Sequence, residues 1–311
     1  MANYTNLLRM TDLTPEILQK ILKVSAALKK EPENALLKGE TLALIFEKPS
    51  LRTRVSFQLA AEEMGGRALV LRPDEIKMGV REAVKDIARY LSRNVTIAAM
   101  RVFSHGTLDE FAKYASIPVV NALCDEEHPC QAFADLLTIE ECFGKIKGVN
   151  ITYLGDGNNV CCSLMFGAAM TGANMTVGCP KGYEPPADIV EKVLAYAKES
   201  GSVIRILNDP KEAAAGADVL YTDVWVSMGQ EDEKASKMKA FEGFCLDDDC
   251  LARAAKGAIV LHCLPAHRGE EITDSVIESE GSRVFQEAEN RRHVEKAALL
   301  FALGKLDQVK I

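Results

Sequence analysis

Short apolar runs alternate with helix-length segments, twice over, and this rhythm constrains the chain more than any other feature. In the first half the apolar runs are Thr41–Phe46, Ala68–Leu71, Thr96–Val102 and Pro118–Leu123. Helix patterns fall between them near Val55–Met64, Glu82–Ser92 and Thr107–Ala115. Strands separated by helix-length segments are too far apart for hairpins, so they predict parallel βαβ units. An opening helix is signalled by Thr14 as N-cap, Pro15 in the first helical position and Glu16 in the first turn. A pattern over Pro129–Phe143 stops at Gly144, and Gly144–Gly148 reads as a short break. The second half restarts with strands at Asn150–Leu154, Met175–Cys179, Val203–Leu207, Val219–Tyr221 and Ala258–His262. Its helices are expected at Asn159–Met170 and Asp188–Glu199, and a last long one at Asn290–Leu303. The expected fold class is α/β, in two domains, each a parallel β-sheet flanked by helices. The first spans 1–145 and is completed by the C-terminal helix at about 290–311; the second spans 146–289.

Composition narrows the function classes. With 311 residues, 48% hydrophobic and 26% charged, the chain can bury two cores and is not disordered. A net charge of -8 offers no general field for a nucleic-acid backbone, though it leaves room for local positive pockets. No run reaches the roughly 18 apolar residues that a membrane span needs. Met1–Met10 is polar and lacks the shape of a signal peptide. The nine cysteines, an odd number, are therefore expected in a reducing, cytoplasmic setting. Neither nucleic acid nor membrane is an expected partner.

Parallel sheets bind ligands at the carboxyl ends of their strands, and the polar clusters fall there. After the first strand comes Ser50-Leu51-Arg52-Thr53-Arg54, with Ser50 expected as N-cap of the next helix, which Gly65-Gly66 closes. Free N–H groups, a positive dipole end, two hydroxyls and two guanidiniums together describe a phosphate site. Arginines kept there merely as solvated residues would oppose the dipole without compensation. Met100-Arg101-Val102-Phe103-Ser104-His105 ends the third strand, and Glu127-His128-Pro129-Cys130-Gln131 follows the fourth. Arg101 and His128 can polarise a carbonyl, and Gln131 offers a donor and an acceptor to a carboxamide.

In the second half, Gly155-Asp156-Gly157-Asn158-Asn159 superficially resembles a dinucleotide turn. The third glycine would fall at Val160, and no acidic residue ends the next strand, so NAD is not expected. The asparagines read either as ligands for something small and polar or as turn formers. Asp223 to Glu231 contains Trp225, Ser227 and Met228. Its carboxylate and serine suit an ammonium-bearing ligand, and a purely structural tryptophan is the alternative. Ser227 lacks the preceding glycine of a nucleophile elbow. His262-Cys263-Leu264-Pro265-Ala266-His267 has no zinc-type spacing, so no metal is expected; Cys263 reads as a nucleophile or as a site-lining residue.

Taken together, these motifs, with Glu289-Asn290-Arg291, resemble the aspartate/ornithine carbamoyltransferase family over essentially the whole chain, and within it the ornithine branch. The resemblance implies transfer of the carbamoyl group of carbamoyl phosphate to the δ-amine of L-ornithine, giving citrulline and phosphate without a cofactor. It assigns Ser50, Leu51, Arg52, Thr53, Arg54, Lys77, Gln131, Leu264 and Arg291 to carbamoyl phosphate, together with Arg101, His128 and Cys263. Arg54, Arg101, His128 and Cys263 form the implied catalytic set, with Arg101 and His128 on the oxyanion. Asn159, Asp223, Ser227 and Met228 are implied ornithine ligands. Leu51 and Lys77 stand where many ornithine enzymes carry threonine and glutamine. A homotrimer with sites at subunit interfaces is also implied. The rivals are a carbamoyltransferase for putrescine or an N-acylated ornithine, and a non-catalytic member of the family.

Overall fold

A computed structural model describes residues 4–226, 229 and 231–311, with only the backbone of residue 231. It contains two compact units, Met1–Leu137 with Glu289–Ile311, and Thr138–Ala288. The first unit begins with α1 (Pro15–Lys30), whose N-cap Thr14 accepts a hydrogen bond from the Ile17 N–H. Its strands and helices then alternate: β1 (Thr41–Phe46), α2 (Arg52–Glu63), β2 (Arg67–Leu71), α3 (Pro73–Ile76), α4 (Val84–Leu91), β3 (Ile97–Arg101), α5 (His105–Tyr114), β4 (Val119–Leu123) and the start of α6 (Pro129–Phe143), which ends in the second unit. All four strands are parallel, in the order β2-β1-β3-β4. Leu42 to Phe46 of β1 are buried without alternation, as expected where helices cover both faces of a parallel sheet.

The second unit contains β5 (Asn150–Leu154), α7 (Asn159–Thr171), β6 (Asn174–Gly178), α8 (Ala187–Ser200), β7 (Ile204–Leu207), α9 (Pro210–Ala214), β8 (Val219–Thr222), α10 (Lys234–Ala240), α11 (Asp248–Arg253), β9 (Ile259–His262) and α12 (Asp274–Ile277). The last helix, α13 (Val284–Ala302), begins in this unit and ends in the first. The second sheet is parallel in the order β7-β6-β5-β8-β9. Both sheets therefore reverse direction next to their first strand, between β1 and β3 and between β5 and β8. At such a reversal the loops diverge to opposite faces and leave a crevice at the carboxyl ends.

Local chemistry differs from expectation in a few places. Leu51, not Ser50, is the N-cap of α2, and the helix starts at Arg52 rather than Val55. Ser50 still contributes, because its hydroxyl accepts from the Thr53 N–H at 3.3 Å. The last helix begins six residues before Asn290; its early turns carry buried Glu287 and its amphipathic contrast is weak, so apolar periodicity does not mark its start. Trp225 is structural: it is buried and stacks on Phe241 with ring centroids 5.5 Å apart.

Gly157 is constrained by space. A Cβ there would lie 2.3 Å from the Pro185 backbone nitrogen and 2.5 Å from the Glu184 carbonyl carbon. Its N–H also donates to the Tyr183 carbonyl at 2.9 Å, so the glycine lets one backbone segment lie against another. Gly157→Ala is expected to lower stability by about 2 kcal/mol, the usual scale for overpacking. Urea unfolding followed by circular dichroism reads this, and an unchanged midpoint would show that residues 184–185 yield freely.

Candidate active site

In the first unit the crevice at the carboxyl ends of β1 and β3 collects the expected anion ligands. Thr53 sits at its centre, buried on the first turn of α2. Its hydroxyl oxygen lies 3.4 Å from Arg101 Nη1 and 3.4 Å from Arg291 Nη2. One short side chain thus spaces two guanidiniums, a pairing of charge that suits an anion. Arg101 ends β3, where the register with β4 shifts between Met100 and Arg101. Arg291 arrives on α13, 238 residues along the chain from Thr53.

Gln131 lies on the first turn of α6, where Pro129 occupies the first position. Its carbonyl oxygen accepts from Arg291 Nη1 at 2.7 Å, and its amide nitrogen donates to Asp135 Oδ1 at 2.8 Å. These partners fix which way the amide faces. His128 is buried just before α6, and burial, with Arg291 and Arg101 adding, holds its pKa well below the ordinary histidine value. The ring is therefore neutral at physiological pH. A neutral imidazole still donates one hydrogen bond and needs no counter-ion.

The other expected ligands are more open. Ser50 and Arg52 are half-buried, Arg54 is exposed on α2, and Leu51 is 72% exposed. Lys77 is exposed in a left-handed conformation at the C-cap of α3. It lines a cavity of about 300 Å³ with Phe46, Glu47, Val80 and Phe103, apart from the Thr53 cluster. Lys48, which the sequence reading passed over, is buried with its ammonium 4.5 Å from the Phe103 ring centroid. Burial and then Arg101 push its pKa down. Its position inside the Phe46–Arg54 segment was the available signal.

The second unit gathers polar groups where β5 and β8 diverge. Asn158, not Asn159, is the N-cap of α7, accepting from the Val160 and Cys161 N–H groups at 3.0 and 3.1 Å. Its Nδ2 donates to Asp223 Oδ2 at 2.8 Å. Asp223 Oδ1 accepts from the Val224 N–H at 2.8 Å and from Cys263 Sγ at 2.9 Å. Three donors thus orient a mostly buried carboxylate. Asn158 was recoverable from sequence as the polar residue directly before a helical run. Asn159 Oδ1 accepts from the Val160 N–H at 3.0 Å. Ser227 and Met228 lie outside the described residues. Lys237 on α10 was also missed; it is buried and pairs with Asp156 at 2.5 Å.

The turn after β9 is braced from beneath. His262 Nδ1 accepts from the Leu264 N–H at 2.9 Å, so Nε2 carries the proton toward Glu271 Oε1 at 3.1 Å. The His262 N–H donates to Glu287 Oε2 at 2.9 Å. Leu264 itself has φ 57°, a conformation costly for a branched residue and found mostly where function demands it. Asp223, His262 and Cys263 bring possible metal-ligand atoms within 4.8 Å of one another. Both His262 nitrogens are already engaged and the thiol donates to Asp223, so this trio is arranged as a hydrogen-bonded turn.

One parallel α/β unit holds a guanidinium-rich cluster suited to an anion, and the other holds an oriented carboxylate suited to an ammonium group. Residues 5–141 match the carbamoyl-phosphate-binding domain of aspartate/ornithine carbamoyltransferases, and residues 147–302 match their aspartate/ornithine-binding domain. The chain belongs to the aspartate/ornithine carbamoyltransferase family. Within it, the chain is 50% identical to the ornithine carbamoyltransferase of Archaeoglobus fulgidus over 308 residues, 98% of this chain and 99% of that one. The solved ornithine carbamoyltransferase of Pyrococcus furiosus superposes with a TM-score of 0.92 at 45% identity, covering 96% of this chain and 97% of that one. The anabolic ornithine carbamoyltransferase of Campylobacter jejuni gives 0.92 at 41% identity, covering 98% and 100%.

Proposed function

We propose that this protein transfers the carbamoyl group of carbamoyl phosphate to the δ-amine of L-ornithine, giving L-citrulline and phosphate. The observation that carries the reading is the convergence of Arg101 and Arg291 on the Thr53 hydroxyl, beside neutral His128 and an oriented Gln131. Ser50, Arg52, Thr53, Arg54 and the backbone at Leu51 hold the phosphate, with Arg291 completing that pocket. Arg101, His128 and Gln131 take the carbamoyl oxygen and amide. The amine nitrogen attacks the carbamoyl carbon, and negative charge gathers on the carbonyl oxygen. The bond to the phosphate oxygen then breaks, phosphate leaves with the electron pair, and the amine's proton passes to the departing phosphate. Donors fixed in advance stabilise the oxyanion without reorganising, and no covalent enzyme intermediate is needed.

Residues 1–145 with 290–311 act as the carbamoyl-phosphate domain and 146–289 as the ornithine domain. Asp223 receives the α-ammonium of ornithine, with Asn159, Ser227 and Met228 completing that head-group site. Cys263 and Leu264 line the reacting end. Lys77 acts across a subunit interface of a homotrimer. Exposed Val80 and Phe103 near it, and Leu69 on the edge strand β2, favour burial against a neighbouring copy. The described helices include none long and apolar enough to cross a membrane; a cytoplasmic setting is part of the proposal.

The test is citrulline formation from carbamoyl phosphate, with ornithine compared against putrescine and N-acetylornithine at matched concentrations. Strong preference for ornithine is expected. Preference for another amine would overturn the ornithine half, and no turnover with any of them would favour a non-catalytic member.

A further inference from the structure

Arg291 does not stand alone in the anion crevice. Four residues further along α13, and so on the same face, lies Glu295, fully buried. Its Oε1 accepts from Arg291 Nε at 3.1 Å and from Nη2 at 2.7 Å. Nη1 of the same guanidinium reaches Gln131 at 2.7 Å, and Nη2 also faces Thr53 at 3.4 Å. We propose that Glu295 is a positioning residue for the anion site: it holds Arg291 against Gln131 and Thr53 and sets the charge this arginine presents to the phosphate group. The inference rests on the carbamoyl-phosphate reading of that crevice.

The chemistry follows from the pair's charge. While Glu295 is ionised it offsets Arg291, and the anion sees chiefly Arg52, Arg54 and Arg101. When Glu295 takes a proton, Arg291 gains a full uncompensated charge without moving. The titratable groups facing Glu295 are Arg291 on its own helix and the buried Cys130 thiol on α6, while α2 contributes the Ser56 hydroxyl. Burial raises the Glu295 pKa to about 7, against Arg291 and Ser56, which favour the carboxylate. Cys130, pushed far up by burial, stays protonated, and His128 stays neutral, so neither supplies a competing charge change near neutrality. Proton and anion binding are then linked, each strengthening the other.

Sulfate tests this, because it stays a dianion throughout and binds without turnover. Its affinity for the whole protein, measured by calorimetry, is expected to rise roughly fivefold between about pH 8.5 and about pH 6, the low end of typical site coupling. Glu295→Gln keeps an acceptor for Arg291 but removes the charge. It should bind sulfate at the parent's low-pH affinity across that range and lower KM for carbamoyl phosphate at alkaline pH, with kcat little changed. A pH step retained in Glu295→Gln, or absent in the parent, overturns the proposal. If that variant does not fold, Glu295→Asp reads the same linkage: it keeps the carboxylate but draws it back from Arg291 by one methylene, so the sulfate step should persist with a moved midpoint, and an unmoved midpoint overturns the proposal. A parent that shows the sulfate step but forms no citrulline would sink the carbamoyl-transfer reading while leaving the Glu295–Arg291 coupling standing.

Discussion

Replacing His128 with Ala is expected to lower the maximal rate by roughly 100-fold to 1,000-fold, the usual loss when one preorganised oxyanion donor is removed. The size follows from burial: His128 is 3% exposed, so water does not readily replace the missing donor. Its pKa is held well below the ordinary value by burial, then by Arg291 and Arg101. The ring is thus neutral at physiological pH and stays so as the pH rises. The penalty, read as kcat at saturating substrates, should accordingly be the same from about pH 7 to about pH 9, since a group must titrate within a range to impose a pH dependence there. Equal rates for variant and parent would remove His128 from the mechanism. A penalty that vanishes above neutrality would show that the charged imidazolium is the working form.

Asp223→Asn should raise KM for ornithine by roughly 100-fold, about the cost of removing one partner from a buried charged hydrogen bond. KM for carbamoyl phosphate should stay within about twofold, because uniform loss of binding to one substrate leaves the other's contacts intact. Asp223 is 7% exposed and accepts from Asn158, Val224 and Cys263. The amide keeps the shape but removes the charge that attracts an ammonium, and its NH2 group would face the Asn158 donor or the Cys263 thiol. Steady-state kinetics with each substrate varied in turn separates the two effects. An unchanged KM for ornithine would place the amino-acid head group elsewhere.

Much of the fold is legible in the chain because its signals are local. Thr14-Pro15 opens a helix through a side-chain cap and a preset φ, whatever the rest of the molecule does. The apolar run Thr41–Phe46 coincides with β1, since a strand covered on both faces needs no polar alternation. The start of α13 escaped that logic because it buries Glu287, Asn290, Arg291, His293, Glu295 and Lys296, so polarity no longer marks its outer face.

The sequence by itself determined the parallel α/β class and the placing of Ser50–Arg54, Arg101, His128 and Asp223 at the carboxyl ends of strands. It also held the motifs that resemble the carbamoyltransferase family. Those depend on neighbours a few residues apart, whose spacing the chain records directly. Only the tertiary structure decided the strand orders, and with them which strand ends diverge to leave a crevice. It set the Thr53 hydroxyl between Arg101 and Arg291, made Asn158 the residue that holds Asp223, and buried Glu295 under Arg291. The reason is physical: the packing of sheet and helices fixes distances between residues far apart in sequence. Burial then sets which of those residues hold a charge, and neither quantity is a property of a local segment.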